Sequence, residues 1–287
     1  MRGMPVKRRI IVMRIVAALL LAAAIGLILL PPAVRAWSTG RLAAAANDHE
    51  RAVAAWPSAK RDRALAQAQS YNRWLAASGQ PTLGVAPDSH AAEAYRSALA
   101  TPDGVMGVIS IPSIGVHLPI RHGTSSDVLS AGAGHLMGTS LPVGGSSTHA
   151  VITAHRGLAG ASMFTRLDEM AVGDRFSLTV LGATMAYRVD RVTVIKPEDT
   201  AILRISGTED RVTLMTCTPY GVNTHRLLVS GVRVPNASSA RDGDDMPSSS
   251  QGATARVLRW SALAAAGLVV GVGVGYGVWR RRRERMR

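Results

Sequence analysis

"RVTLMTCTPYGVNTHRLLVSGVRV", residues 211–234, decides how the chain is read. Two runs rich in Val, Leu and Thr flank a stretch that holds Pro219 and Gly221, the pattern of two β-strands and the loop between them. Paired as neighbouring antiparallel strands, Arg211 to Cys217 and Arg226 to Val234 leave the eight residues Thr218 to His225 as their connection. Cys217 then ends one strand close to where Arg226 begins the next.

The same texture extends upstream. "GVISIPSIGVHLPI", "HAVITAHR", "RFSLTVLG" and "MAYRVDRVTVI" are short β-branched runs bounded by glycine and proline, and no helix of crossover length alternates with them. That predicts a compact all-β barrel or sandwich over residues 105–235, long enough for one core, with no internal repeat. Before it, residues 31–79 read as a helical region. Thr39 to Ala77 is alanine-rich, with Pro57 expected to split it, Ser58 to cap the second piece, and Gly79 and Pro81 to end it. Residues 80–104 read as loop, and residues 236–257, rich in Ser, Asp, Gly and Ala, as a flexible linker.

The 287-residue chain carries a net charge of +14, which raises the question of nucleic acid. The excess sits at the ends: Arg2, Lys7, Arg8, Arg9 and Arg14 at one, Arg280 to Arg283, Arg285 and Arg287 at the other. These cations flank two apolar segments, residues 10–30 and 258–279, each long enough to cross a bilayer. The positive-inside rule puts the basic termini, 1–9 and 280–287, in the cytoplasm and the region between the spans outside; a nucleic-acid partner is not expected. The first span reads as a signal-anchor, with a cleaved signal peptide as the competing reading because "VRA" precedes Trp37.

Cys217 is the only cysteine, so no intramolecular disulfide explains it. As a buried residue it would be a small hydrophobe. Beside Arg226 it reads instead as a thiolate favoured by a guanidinium, whose fork of donors also suits a developing oxyanion. Acyl transfer by a thiolate needs a proton shuttle. His49 and His90 read as solvated, and His117, His122, His135 and His149 lack the spacing of a metal site. His155 ends an apolar strand just before Arg156 and Gly157 break the pattern, and spacing alone leaves it in competition with His225.

"TLMTC" and "TAHRG", together with "GVMGVISIPSIGVHLPIRHGTS", "GHLMGTSLPVGGSSTHAVITAHRG" and "TCTPYGVNTHRLLVSG", resemble the catalytic domain of class C, pilus-assembling sortases from Gly104 to Val234. The resemblance implies an eight-stranded β-barrel, so that with the helical region and the two spans read from the residues the expected fold is mainly β, a sortase-type barrel with an N-terminal helical region and two terminal transmembrane helices. It implies Cys217 as nucleophile, His155 as general acid and base in preference to His225, Arg226 as oxyanion and substrate stabiliser, and no metal or cofactor. The implied reaction cleaves an LPxTG-type signal between Thr and Gly and joins the acyl group to a lysine amine of a pilin subunit. Partners would be LPxTG-bearing pilins and surface proteins, at the membrane.

One departure stands out. The family's Asp-Pro-aromatic lid motif is missing between Gln80 and Gly104, where only the reversed pairs Pro87-Asp88 and Pro102-Asp103 occur. A reduced lid would have to use Tyr95, whose ordinary role is local packing. The alternatives are a cysteine hydrolase, a housekeeping-type wall-anchoring sortase, and a non-enzymatic tethered β-domain with Cys217 in its core. An L,D-transpeptidase fits less well, since Leu-Met-Thr rather than Ser-His-Gly precedes Cys217.

Overall fold

The computed structural model describes residues 6–85, 88–157 and 160–236. The elements in chain order are α1 (Val6–Ala54), α2 (Ser58–Ala77), α3 (Ser89–Ser97), β1 (Val105–Ile111), β2 (Val116–His122), α4 (Ser126–Ser130), β3 (Ala133–His135), β4 (Thr148–Thr153), β5 (Arg175–Val180), β6 (Ala183–Ile195), β7 (Asp210–Thr218) and β8 (His225–Val234). The eight strands close into a barrel in the order β1-β2-β3-β4-β7-β8-β6-β5. Closure removes the exposed strand edges that an open sheet of this size would have to protect.

Period-two burial assigns the faces. Ala150, Ile152 and Ala154 on and just after β4, Val212 and Leu214 on β7, and Leu227 and Val229 on β8 all enter the main core. The intervening residues Val151, Met215 and Leu228 point out of the barrel, where they join Leu203, Ile202, Ile195, Leu136 and Leu83 in a smaller apolar cluster. Inside, Phe176 and Tyr187 stack with centroids 5.5 Å apart, and Gly231 leaves room for them: a Cβ there would lie 2.8 Å from Phe176 Cε1. A polar row, His149 Nε2 to Thr213 Oγ1 and on to Ser230 Oγ, each at 2.7 Å, crosses the outer face of β4, β7 and β8. His149 Nδ1 donates to the Arg204 carbonyl at 3.0 Å, pinning the β6–β7 connection to that face.

The helices pack outside the barrel by helical spacing. Leu42, Ala46, His49 and Val53 line the face of α1 turned toward the protein. Asn47 reaches His117 Nε2 on β2 at 2.9 Å. The whole of α1 is one helix, and Pro31 and Pro32 do not divide it. From Met13 onward it is the one described helix long and apolar enough to cross a membrane. α2 buries Ala68, Tyr71, Asn72 and Leu75, and the Asn72 amide bonds both the N–H (2.7 Å) and the carbonyl (3.0 Å) of Leu141.

Three local expectations change. Ser58 is the first helical residue, and Pro57, without a side-chain bond, occupies the cap position. The stretch read as loop contains α3, capped by Asp88, whose Oδ1 accepts from the Ala91 N–H at 2.7 Å. His49 is buried rather than solvated and pairs with Asp103 at 2.9 Å, because the helix face that carries it docks on the barrel. The second apolar segment, the linker beyond Asn236 and the basic tail lie outside the described residues.

Candidate active site

Cys217 and Arg226 are register partners across the antiparallel β7–β8 pair, and Ile195 of β6 faces Arg226 from the other side. β4 runs parallel to β7 with Thr153 opposite Met215. Beyond that pair the Ala154 N–H donates to the Met215 carbonyl at 3.2 Å, and the Thr216 hydroxyl donates to the Ala154 carbonyl at 2.8 Å. The parallel register thus carries His155 alongside Cys217. By alternation, His155, Cys217 and Arg226 share the outer face with Val151, Met215 and Leu228, while Ala154, Thr216 and Leu227 between them are buried. Cys217 is half-buried, as are His155 and Arg226.

The guanidinium of Arg226 is held by its own turn, donating from Nη1 to the carbonyls of Asn223 (3.2 Å) and His225 (3.1 Å). His225 faces Thr218 in the ladder and bonds the Thr224 hydroxyl at 3.0 Å, so it belongs to the turn's framework. His155 is fixed through its backbone, its carbonyl accepting from the Phe164 N–H at 3.1 Å. No hydrogen bond joins the side chains of Cys217, His155 and Arg226 among the described residues.

The other histidines are occupied elsewhere. His135 is fully buried; its Nε2–H donates to the Ser140 carbonyl at 2.8 Å, its Nδ1 faces the Tyr95 hydroxyl at 3.0 Å, and burial pushes its pKa down to about 4. Burial also lowers the pKa values of His122 and His149. No cluster of three or more His, Cys, Asp or Glu side chains suited to a metal ion occurs among the described residues. Tyr95 is sealed in the core, stacked on His135 and edge-on to His122. It therefore packs α3 against the barrel and does not plug a cleft.

Arg156, read from sequence only as a break in a strand, is tied to the residue after Cys217. Its Nη1–H donates to Thr218 Oγ1 at 2.8 Å and its Nη2–H to Asp168 Oδ2 at 2.5 Å. Next to it, Gly157 at φ +80° lies beneath the ring of Tyr220, where a Cβ would come within 2.7 Å of Cε2. The adjacency of Arg156 to His155 is the only sequence signal that could have pointed to it.

This barrel has counterparts among solved structures. The sortase domain family matches residues 109–234. Sortase C1 from Streptococcus agalactiae superposes with a TM-score of 0.63 at 42% identity, covering 67% of this chain and 99% of that one. The chain belongs to the sortase family. Sortase C-1 from Actinomyces oris is 50% identical, with a TM-score of 0.58 over 61% of this chain and 99% of that one. Sortase D of Bacillus subtilis is 28% identical over 131 residues, which span 45% of this chain and 63% of that relative, less than two thirds of its length. The structural neighbours of this sortase are thus class C members, and the fold is the eight-stranded sortase barrel with an N-terminal helix added.

Proposed function

We propose that the protein is a membrane-anchored cysteine transpeptidase that cleaves an LPxTG-type sorting signal between Thr and Gly and joins the acyl group to a lysine amine of a pilin subunit. The observation that carries this reading is the register pairing of Cys217 with Arg226, with His155 at the end of the parallel strand on the same outer face. Further support comes from neighbours described as sortase C1 of GBS Pilus Island 1 and as a pilus-related sortase C of Group B Streptococcus.

In this reading the Cys217 thiolate attacks the threonine carbonyl. The C–N bond to glycine breaks, His155 protonates the departing amine, and a thioester remains. The lysine amine then loses a proton to His155 and attacks the thioester, the C–S bond breaks, and an isopeptide bond forms. The acyl-enzyme conserves the energy of the cleaved peptide bond, so no nucleotide is needed. Arg226 stabilises the oxyanion in both steps from a turn whose own carbonyls fix the guanidinium. Transfer takes place outside the membrane, both termini are cytoplasmic, and residues 10–30 and 258–279 are the two spans. The continuity of α1 through Trp37 favours a retained anchor over a cleaved signal.

Full-length protein in detergent, given an LPxTG peptide and a pilin domain with an accessible lysine, should yield an isopeptide-linked product by intact mass. Free Leu-Pro-x-Thr acid as the only product at saturating acceptor would make the protein a hydrolase, and ligation to a cell-wall peptide amine alone would make it a wall-anchoring sortase. For topology, protease added to intact protoplasts should digest the barrel and spare tags at both termini; loss of the C-terminal tag would contradict the second span.

A further inference from the structure

We propose that Arg156 is a positioning residue that sets the distance between His155 and Cys217; the inference rests on the reading of that pair as the reacting groups. His155 and Cys217 both lie past the point where the β4–β7 ladder stops, at Thr153 and Met215. Ala154 is still tied to β7, through the Met215 carbonyl and the Thr216 hydroxyl. Further on, the one hydrogen bond between the two strand ends among the described residues is Arg156 Nη1–H to Thr218 Oγ1 at 2.8 Å. It joins the residue after the histidine to the residue after the cysteine.

The other arm of the guanidinium fixes the link from behind. Nη2–H donates to Asp168, on the short helical turn Leu167–Glu169, and Leu167 and the preceding Phe164 are fully buried. The Phe164 N–H also holds the His155 carbonyl at 3.1 Å. The backbone of His155 and the side chain that follows it are therefore both referred to one rigid segment, and through Thr218 that segment is referred to Cys217.

The chemistry of the side chain suits this task. A guanidinium presents two donors to two partners in fixed directions, which an ammonium cannot do. The Arg156 side chain is only 9% exposed, and its Nε–H is buried without an acceptor. A buried unmet donor is costly, so the bridge is kept in spite of it. Tyr220, two residues past Thr218, rests on Gly157 with no room for a Cβ between them, so the same two loops also meet by packing. Groups that exchange protons and acyl carbons must be held closely, and a misplacement of about 1 Å can cost on the order of 10²-fold in rate.

The test is steady-state cleavage of an LPxTG peptide at 15 °C by full-length protein in detergent, with folding at that temperature checked by circular dichroism. Thr218→Val keeps the side-chain shape and removes the acceptor. Arg156→Lys can keep Asp168 but not both partners. Both variants should lower kcat about fivefold or more with KM within twofold of the parent. Arg156→Ala should lower kcat about tenfold or more, and adding Thr218→Val to it should cost nothing further, because the two act through one bond. If Thr218→Val and Arg156→Lys keep kcat within twofold while Cys217→Ala is dead, the positioning role is wrong and the transpeptidase reading stands. The role is also wrong if the two losses multiply. If Cys217→Ala still cleaves the peptide, the reading beneath the inference fails instead.

Discussion

Arg226 Nη1 donates to the carbonyls of Asn223 and His225 while its residue sits directly opposite Cys217 in the β7–β8 ladder. The turn therefore fixes the guanidinium, and no hydrogen bond joins it to the thiol among the described residues. From this we expect Arg226→Ala to lower kcat for peptide cleavage on the order of 10²-fold or more, the loss seen when an oxyanion donor is removed. Arg226→Lys should recover little of it, since a point charge cannot both hold the turn and offer a fork. Cleavage kinetics check this, and a loss under threefold for either variant would assign Arg226 to the turn's structure alone.

Stability should fall in weak acid through the buried histidines. In the unfolded chain a histidine takes up a proton near pH 6.5, whereas His135 in the barrel does so only near about 4. Between those values the unfolded chain binds more protons, so folding stability rises with pH across this window. It is complete above about 6.5 and reduced toward about 4. For His135 alone the difference is on the order of 3 kcal/mol, and His122 and His149, also lowered by burial, act in the same direction. Urea unfolding at pH 7.5 and pH 4.5 measures it: the midpoint should drop clearly in acid, and equal midpoints would mean that these imidazoles are not buried as described.

Tyr95 couples the same region to α3. Its hydroxyl accepts from the Gly123 N–H at 3.0 Å and meets His135 Nδ1 at the same distance. Tyr95→Phe removes the hydroxyl partner of the buried His135 Nδ1, while the Gly123 N–H keeps the His135 carbonyl at 3.1 Å, and should cost about 1–3 kcal/mol of stability. Peptide cleavage should stay within twofold of the parent, because the ring lies in the core. A large activation with unchanged stability would instead make Tyr95 part of a lid.

Much of this could be read from residues. The runs that form β1, β2 and β4 to β8 are β-branched and bounded by turn residues, so their existence followed from local pattern. β3 is only Ala133–His135, held by strands on both sides, and has no pattern of its own. α3 was hidden because its cap, Asp88, follows proline in a glycine- and proline-rich stretch where nine helical residues make a weak signal. His49 was misread because its partner, Asp103, is brought to it only by docking of α1 on the barrel. The pairing of Cys217 with Arg226 was legible from strand, loop and strand spacing, and the structure carries β7 on to Thr218 and starts β8 at His225. The preference for His155 over His225 came from the family resemblance. Arg156 was missed because its partners, Thr218 and Asp168, are distant in sequence or lie across a turn that composition does not reveal.

The central claim is that Cys217 carries the acyl group between donor and acceptor. Full-length protein mixed with excess LPxTG peptide and no acceptor, then quenched in acid within seconds, should gain the mass of the Leu-Pro-x-Thr acyl group. Fragment mass spectrometry should place that mass on Cys217, and hydroxylamine should remove it. Cys217→Ala should gain nothing, and His155→Ala should acylate far more slowly. An acyl adduct that forms on Cys217→Ala, or cleavage of the peptide by the parent with no adduct at any quench time, would contradict the account.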